Sequence, residues 1–342
     1  MKVFPKTRAG RTRMISLLIF VLLFSAGCYL VVVAMPGRSH PGPMPALSAE
    51  EKETSKRLRN TVRHLAATVG ERHVFRPGSL DAAAKFLKSE LRQFGLRVRS
   101  QAFDAQGQTV ENLEVVLPGD QPELGCVVLG AHYDSLVGTP GADDNATGAA
   151  SLLELSRLLS DHPRRGDLRL VLFVNEEPPF FQTDLMGSLV YARALASQGI
   201  KVRGMLSLES MGYFDDTRGS QKYPFPFSLF YPGKGDFIGF VGNISSRSLV
   251  RRSIKVFREN AAFPSEGVAA PSFIPGIGWS DHWSFWQTGY PAIMITDTAP
   301  FRNPNYHRDT DLIESIDFDA LARIVHGLVE VVGELDRQSE RG

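Results

Sequence analysis

The amino-acid sequence predicts an α/β domain with a mostly parallel central sheet and helices on both faces, preceded by one N-terminal transmembrane helix. Three observations carry that expectation. Short apolar runs of strand length at 126–130, 168–174, 205–208 and 291–296 alternate with helix-periodic segments at 148–159, 187–197 and 317–335. Strands without a polar face belong to a sheet covered on both sides. The 342 residues are 43% hydrophobic and 22% charged, the balance of a globular chain long enough for a large domain. Finally, residues 14–35 carry no charge and follow Lys2, Lys6, Arg8, Arg11 and Arg13 directly.

At about 1.5 Å per residue, a helix over 14–35 spans the roughly 30 Å hydrocarbon core of a bilayer. Basic residues before it place 1–13 as a cytoplasmic tail and everything after it outside the cytoplasm, periplasmic or extracellular, at the cell membrane. The stretch exceeds the roughly 7–15 apolar residues of a cleavable signal, which favours a retained signal anchor. Lipid attachment at Cys28 is the alternative. Ser25-Ala26-Gly27-Cys28 only partly resembles the processing site, however, and the apolar run continues past it. Residues 36–47 contain four prolines and two glycines and read as a linker.

The domain follows, from 48 to 342. Ser48 with Glu51 three residues later forms a capping box that starts a helix. A second helix is expected over 79–94, with Ala83, Phe86, Leu87 and Leu91 on one face and Gly95 as its stop. A strand is expected at 113–117. Residues 214–278, rich in Phe, Tyr, Pro and Gly, read as irregular substrate-side loops. A formal net charge of +1 gives no electrostatic reason to expect nucleic acid as a partner, and two cysteines make no disulfide framework.

In parallel sheets, ligands bind beyond the carboxyl ends of the strands. His132 and Asp134 end the run CVVLGAHYDS, two residues apart and so on one face. A carboxylate there can fix the tautomer of a metal-bound imidazole. GADDNATG at 141–148 is an acidic loop before a helix, either a ligand loop or a capped turn. Glu176 and Glu177 end another apolar run, where adjacent carboxylates repel unless a cation or shared proton relieves them. Glu209 ends MLSLE, and His307 follows PAIMITDT.

Together AHYDS, GADDNATG, NEE with the later GSLVYA, LESMGY, SDHWSF and YH resemble metallopeptidase family twenty-eight, the di-zinc aminopeptidase and carboxypeptidase group, over 58–335. The resemblance implies a zinc-exopeptidase (phosphorylase/hydrolase-like) fold, peptide substrates and two zinc ions, with manganese or cobalt as other suitable metals. It implies that Asp144 bridges the two ions, that His132 and Glu209 complete one site, and that Glu177 and His307 complete the other. It makes Glu176 the general base, Asp134 the partner of His132, and the peptide after Asp144 cis. Tyr306 either helps stabilise the oxyanion or packs beside the ligand. Ser280 or Asp281 caps a helix, and His282 is structural.

The chain departs from the family pattern in two places. The link PPFFQTDLM after Glu177 is longer than usual, and Phe180 and Phe181 in it form either an apolar specificity wall or an anchor to the core. Glu209 stands where many relatives carry Asp. Asp184 and Asp215 are candidates by position to hold a substrate ammonium. Two other readings of the same fold are a glutaminyl cyclase, which uses one zinc, and a non-catalytic receptor-like relative.

Overall fold

The structure, a computed structural model, describes residues 7–337. Residues 1–6 of the expected tail, including Lys2 and Lys6, and 338–342 lie outside the described residues. The elements run α1 (Arg8–Val32), α2 (Ala49–Val62), α3 (Ser79–Gln93), β1 (Val98–Ala105), β2 (Gln108–Leu117), β3 (Cys126–His132), α4 (Gly148–Leu159), β4 (Asp167–Phe173), α5 (Gly187–Ser197), β5 (Val202–Glu209), β6 (Ile238–Gly242), α6 (Arg247–Asn260), β7 (Ser265–Ala269), α7 (His282–Gln287), β8 (Ala292–Thr296), α8 (Ala299–Arg302) and α9 (Phe318–Arg337).

The strands form one eight-stranded sheet in the order β1-β2-β4-β3-β5-β8-β6-β7. Its centre, β4-β3-β5-β8, is parallel, β6 pairs antiparallel with β8, and β1-β2 forms an antiparallel hairpin at the far edge. Helices α4, α6 and α9 cover one face, with α2 packed on α4 and α9, while α5 and α7 cover the other. The central strands are buried throughout β3 and β8 and nearly so in β5, which explains their unbroken apolar sequence.

Local signals act where expected. Ser48 Oγ accepts the Glu51 N–H while Glu51 Oε2 accepts the Ser48 N–H, and α2 begins there. Helix α3 buries Ala83, Leu87 and Leu91 and stops before Gly95, which turns the chain at φ +78°. Phe86 is only half-buried, stacked on His64.

One expectation needs correction, one strand is unforeseen, and one helix starts earlier than its uncharged stretch. The irregular stretch expected at 214–278 contains β6, α6 and β7. IGFVG and SEGVA are short strands interrupted by glycine, and α6 buries Leu249, Val250, Ile254 and Phe257 behind many basic residues, which dilutes its pattern. Strand β1 is a polar edge strand and gives no apolar run. The N-terminal helix begins at Arg8 rather than 14, because Thr7 Oγ1 accepts the Gly10 N–H and caps it there, and it ends at Val32.

Among the described residues, α1 is the one helix long and apolar enough to cross a membrane. The proline-rich stretch after it is not a free tether. Arg258 donates to the carbonyl oxygen of Pro36 at 3.0 Å, Ser39 Oγ accepts the Ser265 N–H at 2.8 Å, and Arg323 donates to the carbonyl of Pro45. The linker thus lies against α6, β7 and α9.

Candidate active site

The parallel strands deliver the polar residues to one rim of the sheet. His132 is the last residue of β3 and Glu209 the last of β5, and Glu176 and Glu177 stand just beyond the end of β4. His132 Nε2 lies 3.4 Å from Asp144 Oδ1 and 3.2 Å from Glu209 Oε2. His307 Nε2 lies 3.1 Å from Asp144 Oδ2 and 3.4 Å from Glu177 Oε2. The two oxygens of one carboxylate therefore face two different histidines. His132, Asp144 and Glu209 form one group that could hold a cation, and Asp144, Glu177 and His307 form a second.

Each of these groups is held from behind. Asp134 Oδ1 stands 3.4 Å from His132 Nδ1, and the same carboxylate accepts the backbone N–H groups of Glu176 and Glu177 at 3.2 and 3.1 Å. One side chain thereby sets both the imidazole and the turn carrying the two glutamates. Glu209 accepts hydrogen bonds from Ser210 at 2.9 Å and Ser280 at 2.7 Å. Asp311 accepts the N–H groups of Asp143 and Asp144 at 2.9 and 3.1 Å, and Asn145 accepts the Ser210 N–H, tying the acidic loop to the end of β5. The Asp144-Asn145 peptide is cis. Of the non-glycine residues with positive φ among the described residues, Asn175, Ser210 and His307 are themselves candidate site residues or their immediate neighbours. Strained backbone of this kind persists where surrounding structure fixes it, often at functional sites.

The electrostatics ask for cations. Burial pushes Glu176 well above the ordinary carboxylate range, with Glu209 and Glu177 adding to the effect against the opposing pull of His132. Glu177 rises to about 7 through burial and the neighbouring Asp144. Burial pulls His307 down, yet Asp144 and Glu177 outweigh it and move it up to about 10. His132 also stands well above its usual value, because Glu209 and Glu176 overcome its burial. Asp144 lies below the carboxylate range because His132 and His307 overcome its desolvation. The cluster is thus held together by protons where its chemistry suits metal. Nε2 of His132 and Oε1 of Glu177 are buried and have no hydrogen-bond partner among the described residues. Such orphaned atoms are costly, and a cation between these donors would satisfy them.

Tyr306 stacks on the His307 ring at 3.8 Å, and burial with the surrounding carboxylates holds its hydroxyl well above the usual phenol range. His282 is buried, with Nε2 2.8 Å from the carbonyl oxygen of Ile277, and burial pushes it down to about 4, so it is a neutral structural residue. Neither Ser280 nor Asp281 caps α7, since the Ser280 hydroxyl is drawn to Glu209 instead. Asp184 pairs with Arg193 at 2.8 Å and its side chain is 83% exposed; Asp215 accepts from the N–H and hydroxyl of Thr217. Both acids are therefore engaged locally. Phe180 is buried in the core and stacks with Phe75, which makes it an anchor; Phe181 is half-buried.

One residue has no signal in the sequence. Arg72 is completely buried and donates to the carbonyl oxygens of Leu65, Gly70, Tyr133, Pro140 and Gly141, bracing the loop between His132 and Asp144.

Beside Glu209 and Tyr306 opens a largely apolar pocket of about 810 Å³ including its mouth. Its floor is one row of the sheet, Glu209, Thr296, Gly239 and Glu266, paired across four strands. Tyr223, Phe227, Tyr231 and Phe301 stand among its walls.

A family model described as Peptidase family M28 matches residues 112–332. The uncharacterised protein YfbL of Escherichia coli K12 is 39% identical over 295 residues, 83% of this chain and 90% of that protein. A probable zinc metalloprotease of Pyrenophora tritici-repentis is 29% identical, over 72% of this chain but only 58% of the fungal protein. Among solved structures, the LapA aminopeptidase of Legionella pneumophila aligns with a TM-score of 0.67 at 21% identity, covering 85% of this chain and 75% of that one. The glutaminyl cyclase of Porphyromonas gingivalis aligns at 0.61 and 20% identity, covering 82% and 98%. At these identities the structural matches speak for the fold.

Proposed function

The chain belongs to peptidase family M28, and from that premise we propose that it is a membrane-anchored, zinc-dependent exopeptidase, an aminopeptidase acting on peptides outside the cytoplasm. Residues 48–342 form the peptidase domain and α1 the single-pass anchor. His132, Asp144 and Glu209 would hold one zinc, and Asp144, Glu177 and His307 would hold the other. The observation that carries this reading is the carboxylate of Asp144, whose oxygens stand 3.4 and 3.1 Å from two different histidines.

When bound, such a metal pair supplies Lewis acidity toward the scissile carbonyl and a water more acidic than bulk. The chain's own residues do the rest. Glu176, with Oε2 3.9 Å from His132 Nε2, accepts the proton of the attacking water and delivers it to the leaving amine. The Tyr306 hydroxyl, kept protonated by its surroundings, donates to the developing oxyanion. Asp134 keeps Nδ1 of His132 protonated, and so directs Nε2 toward the donors. The apolar pocket beside Glu209 receives the substrate side chain.

Zinc analysis of purified protein tests the centre: two ions per chain are expected, and Asp144→Ala should lose both. Unchanged zinc in that variant removes the bridging role. Substrate class is tested with free and N-blocked aminoacyl amides alongside a Gln-initiated peptide. Release of the N-terminal residue from free amides alone is expected; cyclisation of the Gln peptide without hydrolysis would instead identify a cyclase.

A further inference from the structure

The segment that walls the apolar pocket has a second, outward face. Tyr223, Phe227 and Tyr231 line the pocket, whereas Phe225, Leu229 and Phe230 between them are 85%, 69% and 47% exposed. Phe273, in the neighbouring loop that carries Ile274 and Ile277 into the same apolar cluster, is 84% exposed. Large apolar side chains gathered on a surface mark a place that something covers.

Their position says what covers them. The Phe230 ring meets that of Tyr29, 5.6 Å between centroids, on the last turn of α1. Val32, the last residue of α1, packs against the apolar cluster that contains Phe227 and Ile277, as Tyr231 and Val268 also do. Helix α6 grips the same end. Arg247 donates to the carbonyl oxygens of Val31 and Leu30 at 2.6 and 2.7 Å, and Arg251 donates to that of Ala34 at 2.5 Å. These guanidinium groups satisfy carbonyls that a helix end leaves unpaired. They also fix which part of the domain meets the point where α1 leaves the hydrocarbon. Aromatic and basic side chains are the ones that settle at the level of lipid headgroups.

We propose that Phe225, Leu229, Phe230 and Phe273, with Arg247 and Arg251 beside them, form a membrane-contact surface seated in the interfacial layer of the bilayer that α1 enters. This rests on the reading of α1 as a membrane anchor. The domain then lies with its β7 edge on the membrane and its β1 edge about 34 Å away, at roughly 4.8 Å per strand over seven intervals. The substrate pocket is walled by the very segment that touches lipid.

The test uses the full chain in phospholipid nanodiscs. A fluorophore is placed at Leu229→Cys, or at Ser89→Cys on exposed α3 near the β1 edge, in a Cys28→Ser background; Cys126 is buried. Nitroxide-bearing lipid should quench the label at 229 several-fold more than the label at 89. Equal quenching overturns the proposal. Unmutated protein in discs containing a photoactivatable phospholipid gives a second readout, free of labelling or folding artefacts. Crosslinks are expected in peptides covering 8–35, 223–231 and 271–278. Crosslinks confined to 8–35 would leave the anchor standing and overturn the contact surface, and none anywhere would overturn both.

Discussion

The two regions that meet at Glu209 are built on opposite principles. On one side, ionisable groups are buried and each is held by a specific donor or charge; on the other, an apolar pocket is walled by aromatic rings whose contacts are individually weak and interchangeable. The first region concentrates its energy in a few atoms, so removing one should change the chemistry outright. The second spreads it over many, so a change there should shift preference and leave the reaction intact. Mutations on the two sides should therefore differ in kind as well as in size.

The sharpest break is expected at Glu176. Glu176→Gln keeps the shape but removes the basic oxygen, and kcat should fall by about 10²–10⁴-fold with zinc content unchanged. Wild-type turnover in that variant would refute the assignment of the base. The next largest effect is on stability. Arg72 is buried and bonded to five carbonyls, and burial lowers its pKa to about 10 against the opposing pull of Asp134 and Asp311. Arg72→Met leaves those carbonyls unpaired and should cost roughly 3–5 kcal/mol. Thermal unfolding of the zinc-loaded variant checks this, and an unchanged midpoint would mean that the loop is braced elsewhere.

These two residues also show what the sequence could and could not reveal. Glu176 was legible because an acidic pair one residue after the apolar run Leu170–Val174 has no comfortable solvent. The same contrast exposed the candidates His132, Glu177 and Glu209, since parallel strands announce their carboxyl ends by an abrupt change from apolar to ionisable; His307 lies further on, past both β8 and α8. Arg72 sits in a coil segment and acts through backbone carbonyls, which have no sequence identity to match. The polar edge strand β1 and the basic helix α6 were missed for a related reason. Their buried faces are narrow, and the chain around them is dominated by residues that meet water. The cap at α7 failed differently: the Ser280 hydroxyl had a stronger local claim from the Glu209 carboxylate, and only tertiary structure reveals such competition.

Zinc and pH separate the regions further. In the metal-free protein, His307 is raised to about 10 and Glu177 to about 7, while His132 and Glu176 stand well above their ordinary values. Raised groups bind protons more tightly when folded, so their stabilisation is complete below the unfolded pKa and is lost as pH rises through the folded one. Chelator-treated protein should therefore lose stability steadily from about pH 4.5 to 10. Zinc takes the place of those protons, so its binding should release protons near pH 7 and tighten as pH rises. Scanning fluorimetry across pH, with and without chelator, checks both signs. A metal-free protein that gains stability over this range would contradict the proton-held cluster.

The smallest expected effect lies in the pocket floor and sharpens the contrast most directly. Gly239 stands between Thr296 and Glu266, and a Cβ there would lie 3.1 Å from the Thr296 carbonyl oxygen and project into the floor. Gly239→Ala should fold, because the approach is tight without being impossible. It should lower kcat/KM for leucine amide relative to alanine amide by about 10-fold, the lower end of what one methylene is worth in a hydrophobic site. Activity on alanine amide should stay close to wild type, since the change touches neither Glu176 nor any of the metal-binding candidates. Equal losses on both substrates would place the substrate side chain somewhere other than this pocket, and the pocket would then lose its part in selectivity while the metal centre kept its own.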